Sequence, residues 1–300
     1  FPYTTLFRSL IAGQITLVLG RAAFWPATWA MASELPGNRG IELGRLNAAT
    51  NVGQIAGGVL CGFLLAATGF HATFAALAAT GLAAFFAGLG THGGTRPKPA
   101  APAHQALAAY GPLLRRRIIH YSMFCAYLSA LPLSLSMSFY PLLLAGYGYG
   151  EEISGVLVAL RAVGAIGAGL IAARFVRTGP ATLWPVGCGV AVAAGVGLLP
   201  TVNHVVPIGL WMLLVGLGSG AMTLYFQMTI AEASRPEQRG AALALGGLGW
   251  SLSHFSTPLI MGFLADRYGI VPGFYALGVL ALGCALLIAW MRRWAFSTRP

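Results

Sequence analysis

Nine runs of about twenty mostly apolar residues, each long enough to cross a hydrocarbon layer of about 30 Å, take up most of this chain. They lie at about 10–32, 46–67, 70–90, 118–144, 152–173, 181–200, 207–231, 241–264 and 271–291, parted by charged or Pro/Gly-rich breaks. A backbone in lipid has no water to satisfy its amides, so each run must close its own hydrogen bonds. Runs twice the length of a barrel strand do so as helices, and the expected fold class is all-α and polytopic. Composition agrees: 57% of residues are hydrophobic and 8% charged, whereas roughly a quarter are charged in soluble domains.

A net charge of +11 would suit a nucleic-acid partner, but the placement of the charges excludes that reading. Arg39, Arg45, Arg96, Lys98, Arg115, Arg116, Arg117, Arg174, Arg177, Arg235, Arg239, Arg292, Arg293 and Arg299 fall in alternate breaks and the tail, and the opposite breaks hold only Arg267. Such a bias marks the cytoplasmic loops of a membrane protein. It predicts a cytoplasmic C-terminus, an outside start, and contact with anionic headgroups rather than nucleic acid. The expected location is a bacterial inner (plasma) membrane. Cys61, Cys125, Cys188 and Cys284 are scattered one to a helix without CxxC spacing, which points to neither disulfides nor zinc. The first nine residues, "FPYTTLFRS", read as neither loop nor helix cap and are set aside as non-native.

The chain also repeats itself. "PGNRG" at 36–40 returns as "PEQRG" at 236–240, and at that offset Pro36, Arg39, Gly40, Leu43, Gly62, Phe63, Leu64, Gly69, Phe74, Ala76, Leu77 and Leu82 each meet an identical residue. Parallel repeats in helical membrane proteins relate two halves by an axis along the membrane normal. The first three runs pair with the last three, and runs four to six lack a partner. Helices upstream of residue 10 are therefore expected to complete a six-plus-six bundle.

Three local patterns bear on what kind of bundle this is. "LGRAAFWPA" sets Arg21 in the middle of the first run. "GQIAGGVLCG" carries Gly53, Gly57 and Gly62. "GLIAARFVRTG" places Arg174 and Arg177 in a short turn, with Ala173 and Val176 at two of its positions. Through these the chain, from residue 10 on, resembles the major facilitator superfamily of secondary transporters, its nine runs standing for the fourth to twelfth helices. Ala173 and Val176 then replace the Asp and Gly of the family's loop motif, and the Gly53 pattern resembles an exporter-associated one. The resemblance implies residues 1–90 as part of an amino-terminal half, 91–117 as a cytoplasmic linker, and 118–300 as a six-helix carboxy-terminal half. It also implies a monomer in the lipid bilayer that needs no cofactor and is not an enzyme. "GFLADRYG" at 262–269 fits the loop motif better still, but helix parity puts Asp266 and Arg267 outside, as a solvated turn.

A helix lining a wet cavity should carry a polar stripe at 3.6 spacing. Gln14, Arg21, Trp25 and Thr28 align on the first run, and Asn47, Asn51 and Gln54 on the second. Ser122, Cys125, Ser129 and Ser136 do so on the fourth, Ser219, Thr223 and Gln227 on the seventh, and Ser251 and His254 on the eighth. Under the repeat, Asn51 corresponds to Ser251, Gln54 to His254 and Trp25 to Tyr225, so both halves present polar faces to a central cavity. The third, sixth and ninth runs lack a stripe and read as outer supports. The candidates for substrate contact are Gln14, Arg21, Trp25, Asn51, Gln54, Ser129, Arg161, Thr223, Gln227 and His254. The alternative for any Ser, Thr or Asn is an interhelical hydrogen bond, worth about 1 kcal/mol or less.

All seven carboxylates fall in turns, which leaves Arg21, Arg161 and His254 as the ionisable groups at depth. An Arg at a helix centre costs about 3 kcal/mol on insertion scales, so Arg21 and Arg161 must face the bundle or its water. His254 changes charge near neutral pH and is the candidate proton carrier, with Arg21 as a partner in coupling. Arg39, Arg174, Arg177 and Arg239 are candidate gating residues in the cytoplasmic turns. "GAIGAG" at 164–169 and "GLGSG" at 216–220 follow no strand, and their small-residue spacing predicts close helix contact. Pro132 predicts a kink in the fourth run. Together these features predict secondary transport of a small organic solute by alternating access, as proton-coupled efflux. Uptake of an organic anion is the alternative, and a non-transporting sensor or scaffold of the same fold is another.

Overall fold

The computed structural model describes residues 3–90, 110–136 and 138–297. Among these every regular element is a helix: α1 (Tyr3–Glu34), α2 (Arg39–Leu89), α3 (Arg117–Ser136), α4 (Phe139–Gly146), α5 (Glu151–Leu170), α6 (Trp184–Gly197), α7 (Val205–Ala233), α8 (Arg239–Tyr268) and α9 (Ile270–Ala295). Two of the nine expected runs are joined in α2, which turns at Gly69 (φ 76°, ψ −179°), and one is split into α3 and α4. Five stretches of the described residues are long and apolar enough to cross a membrane. They are Ala67–Leu89, Arg117–Ser136, Glu151–Arg174, Val205–Ala233 and Ile270–Ala295.

From Tyr3 onward the opening residues are part of the helix α1. Most of the predicted linker, 91–109, lies outside the described residues, while Tyr110–Leu114 is helical.

The local chemistry at the helix ends is legible. Asn38 caps α2, its side-chain oxygen accepting from the amides of Gly40 and Ile41. Glu151 and Glu152 sit in the first turn of α5, where the helix dipole favours negative charge, and Arg292 and Arg293 sit in the last turn of α9. Pro132 lies inside α3, which ends at Ser136 before the chain resumes as α4. Ser134 and Ser136 donate to the carbonyls of Ala130 and Pro132, four residues back, just before this break.

The two glycine-rich runs do what their spacing predicts. A Cβ on Gly164 or Gly216 would overlap the backbone of the facing helix, so α5 and α7 touch main chain to main chain along this line. In the same way Gly249 of α8 lies against the backbone of Met123 in α3, and Gly197 of α6 against Gly278 of α9. Helices α3 to α9 thus form one packed group. Tyr121, Tyr140, Tyr225, Phe226 and Phe274 are the largest fully buried side chains at its centre.

Helices α1 and α2 lean on this group at one end only. Eleven of the fourteen residues of the basic set belong to the described residues, and all stand at that end. Arg116 donates there to the Ala233 carbonyl, and Arg292 to that of Thr182. The opposite end carries the turns at Gly69 and Gly269 and the loops where Tyr147 donates to Pro200 and Tyr149 to Asn203.

Candidate functional site

The contact between the two groups is a seam of small residues. Gly40, Gly44 and Ala48 recur every fourth residue on α2, and Ala165, Gly169 and Ala173 do so on α5 and the short 3-10 turn that follows. A Cβ on Gly44 would overlap the carbonyl of Gly169 and stand 2.7 Å from the Ala173 Cβ. A Cβ on Gly169 would stand 2.5 Å from the Gly44 carbonyl oxygen, and one on Gly40 3.0 Å from that of Ala173. Ala173 is the residue at which the resemblance expected an Asp, and there is no space for a carboxylate beside Gly44. This seam was not named from sequence, although its four-residue spacing of small residues was there to be read.

One turn further along, Asn47 of α2 donates to Gln227 of α7 at 2.8 Å, and the Gln227 amide faces the Asn47 oxygen at 3.4 Å. Gln227 is 0% exposed. The sequence set it among the solute contacts; in this arrangement a residue of the other group holds it. Trp29 of α1 meets Phe226 edge-on at 5.8 Å between ring centroids and covers Gly247 of α8.

The turns at this end are tied by arginine. Arg39 donates from Nε to the Ser33 carbonyl at the end of α1 (2.9 Å), and Arg239 does the same to the Ala231 carbonyl at the end of α7 (3.2 Å). The repeat is thus visible as one device used twice: an arginine after a turn satisfying the bare carbonyls of the preceding helix. Arg239 also reaches Glu34 of α1 at 3.3 Å, an ion pair between the groups with Glu34 half exposed. Glu34 was read from sequence only as a turn carboxylate. Arg174 and Arg177 are exposed and make no ion pair among the described residues.

Beyond the seam the groups part. Gly13, Gly20, Gly53 and Gly57 have no neighbour within 4 Å of a built Cβ, and Gln14, Arg21 and Gln54 are exposed. Gly53 and Gly57, two of the glycines that resemble an exporter pattern, therefore pack against nothing among the described residues. The parted faces form a cleft, closed at the arginine-rich end and open toward Gly69 and Gly269.

Arg21 of α1 and His254 of α8 stand on helices that touch each other, and both are exposed where the groups part. His254 lies against Trp250, ring centroids 4.7 Å apart, with Nδ1 3.0 Å from the Trp250 carbonyl oxygen. That contact fits an Nδ1–H donor, which leaves Nε2 as the free ring nitrogen. Asn51 donates to the Asn47 carbonyl at 2.8 Å, and Trp25 is half-buried beside Trp29. Thr223 and Ser129 bond carbonyls of their own helices, at Ser219 and Ala126, and not the interhelical partners that the alternative reading expected. Arg161 stands apart from the cleft cations, 6% exposed within the larger group.

The helices, the repeated arginine turns and a cleft between two groups are the anatomy of a membrane carrier. No curated protein sequence matches the chain. The family model of the Major Facilitator Superfamily, however, matches residues 1–215, more than two thirds of the chain, and this integral membrane protein therefore belongs to that superfamily of secondary transporters.

Proposed function

We propose that the chain moves a small organic anion through the cleft by alternating access, with proton coupling at His254. The observation that carries this reading is that Arg21 of α1 and His254 of α8, on helices of the two groups that touch each other, are both exposed where the groups part, while the carboxylates of the described residues lie at helix ends. A guanidinium and an imidazole exposed between the groups favour a ligand with negative charge. A guanidinium does not release its proton at accessible pH, so proton exchange falls to the imidazole of His254. The charge bias makes the seam the cytoplasmic end, and the cleft then faces outward. Export in exchange for protons is supported by the resemblance of Gly53, Gly57 and Gly62 to an exporter pattern.

The test is transport in oriented vesicles with a panel of labelled small carboxylates, phosphonates and amines under an imposed pH gradient. Anions should be carried, and Arg21→Gln should lower their flux at least tenfold. His254→Gln should abolish gradient-driven accumulation while leaving solute-for-solute exchange. Carriage of amines alone, insensitive to Arg21→Gln, would overturn the anion reading. Right-side-out and inside-out vesicles read the direction separately.

A further inference from the structure

The larger group contains a positive charge that nothing in it answers. Arg161, in the middle of α5, is 6% exposed, and no hydrogen bond or ion pair reaches its guanidinium; its Nε is buried without a partner. The two ion pairs among the described residues, Arg45–Glu42 and Arg239–Glu34, lie at the far end of the molecule. On its own helix the nearest carboxylate is Glu152, nine residues away, which is about 13 Å along the axis. A guanidinium stays charged when buried and cannot accept a hydrogen bond, so it requires an acceptor, preferably an anionic one.

A second donor stands nearby. Tyr140 of α4 is 0% exposed, and its hydroxyl has no partner. Its ring stacks on Phe274, centroids 5.6 Å apart and planes 22° apart, which fixes where the hydroxyl lies. Tyr140 on α4 and Arg161 on α5 belong to helices that pack against each other. A buried guanidinium and a buried hydroxyl, neither with a hydrogen-bond partner among the described residues, describe one half of a binding site.

The site also has an entrance. A cavity of about 560 Å³ opens between α4 and α5 at the end remote from the seam, lined by Ser138, Tyr149, Ser154 and Val158, with Glu151 exposed at its rim. Ser154, Val158 and Arg161 recur at i, i+4 and i+7 on one face of α5, so Arg161 follows the cavity-lining residues of that face by about one turn.

We propose that Arg161 and Tyr140 bind a small anion inside the larger group, entering from the cavity between α4 and α5 and separate from the cleft pair. The shared chemistry is a compact acceptor of single negative charge, either a free halide or a carboxylate of the transported solute. The proposal does not depend on the cleft reading, because binding is measured without transport.

Thermal unfolding of the full chain in nanodiscs, at constant ionic strength with a bulky sulfonate (MES) as the reference anion, provides the test. Replacing the sulfonate by chloride or acetate should raise Tm in a saturable way. The shift should vanish in Arg161→Gln and weaken several-fold in Tyr140→Phe, which keeps the stacked ring and should fold normally. A shift with chloride identifies a free halide, and one with acetate but not chloride identifies a solute carboxylate. No saturable shift with either anion, or one that persists undiminished in both variants, would overturn the proposal. If Arg161→Gln does not fold, the Tyr140→Phe result decides alone.

Discussion

At the scale of residues, the closed end depends on positions 44 and 169 having no side chain. A methyl group there meets backbone, which cannot rotate away, and overpacking of this kind costs about 1–3 kcal/mol. Gly44→Ala should therefore shift the population away from the closed seam by about tenfold, since 1.4 kcal/mol is a factor of ten. In a cysteine-free background, a single cysteine replacing Met228, which lies under Gly40 at the seam, should be alkylated correspondingly faster from the cytoplasmic side. An unchanged rate would mean that the seam does not close in the membrane. The amide pair makes a different prediction. Asn47→Ala strands a buried Gln227, at a cost of about 1–3 kcal/mol, whereas replacing both residues by Leu should recover most of that loss in thermal unfolding. Strictly additive effects would show that the two side chains are not coupled. The stripe on α7 was legible because 3.6 spacing reveals a face. The partner was not, because Asn47 lies 180 residues away and spacing carries no distance across helices.

At the scale of elements, the two halves of the repeat are joined internally in the same way. Gly69 and Gly269 connect consecutive helices by one residue, at φ 76° and 93° with ψ near 180°, a region that essentially only glycine occupies. Gly269→Ala should lower stability by about 1–3 kcal/mol, and Gly69→Ala by a similar amount, read as a fall in Tm. The paired arginine turns yield a ranking instead. Arg239 is buried and bonds the Ala231 carbonyl, but its carboxylate partner Glu34 is half exposed, and such pairs contribute about 1 kcal/mol or less. Arg239→Ala should thus loosen the arginine-rich end more than Glu34→Gln does, judged by the same cysteine alkylation. Helix number and type were readable because lipid permits so few backbone solutions. The break after Ser136 was foreseen at Pro132 but not located, because a proline weakens a helix without deciding which later residue ends it.

At the scale of the whole molecule, the arrangement requires that the two repeated turns face one compartment. Single cysteines replacing Asn38 and Gln238 should react with an impermeant reagent from the same side of the bilayer, and one replacing Asn203 from the other. Reaction of the first two from opposite sides would dissolve the repeat. Charge bias made this topology readable, because every cation of the described basic set gathers at one end. The parting of the groups beyond residue 50 was not readable, since a polar stripe marks a wet face equally in a closed bundle and an open one. Because each cleft-lining helix turns straight into its outer neighbour at Gly69 or Gly269, with no slack between them, a tilt of one obliges the other to tilt against the lipid. The thickness of the bilayer thereby becomes a working part of the carrier, and turnover should change with acyl-chain length even where no lipid headgroup is recognised.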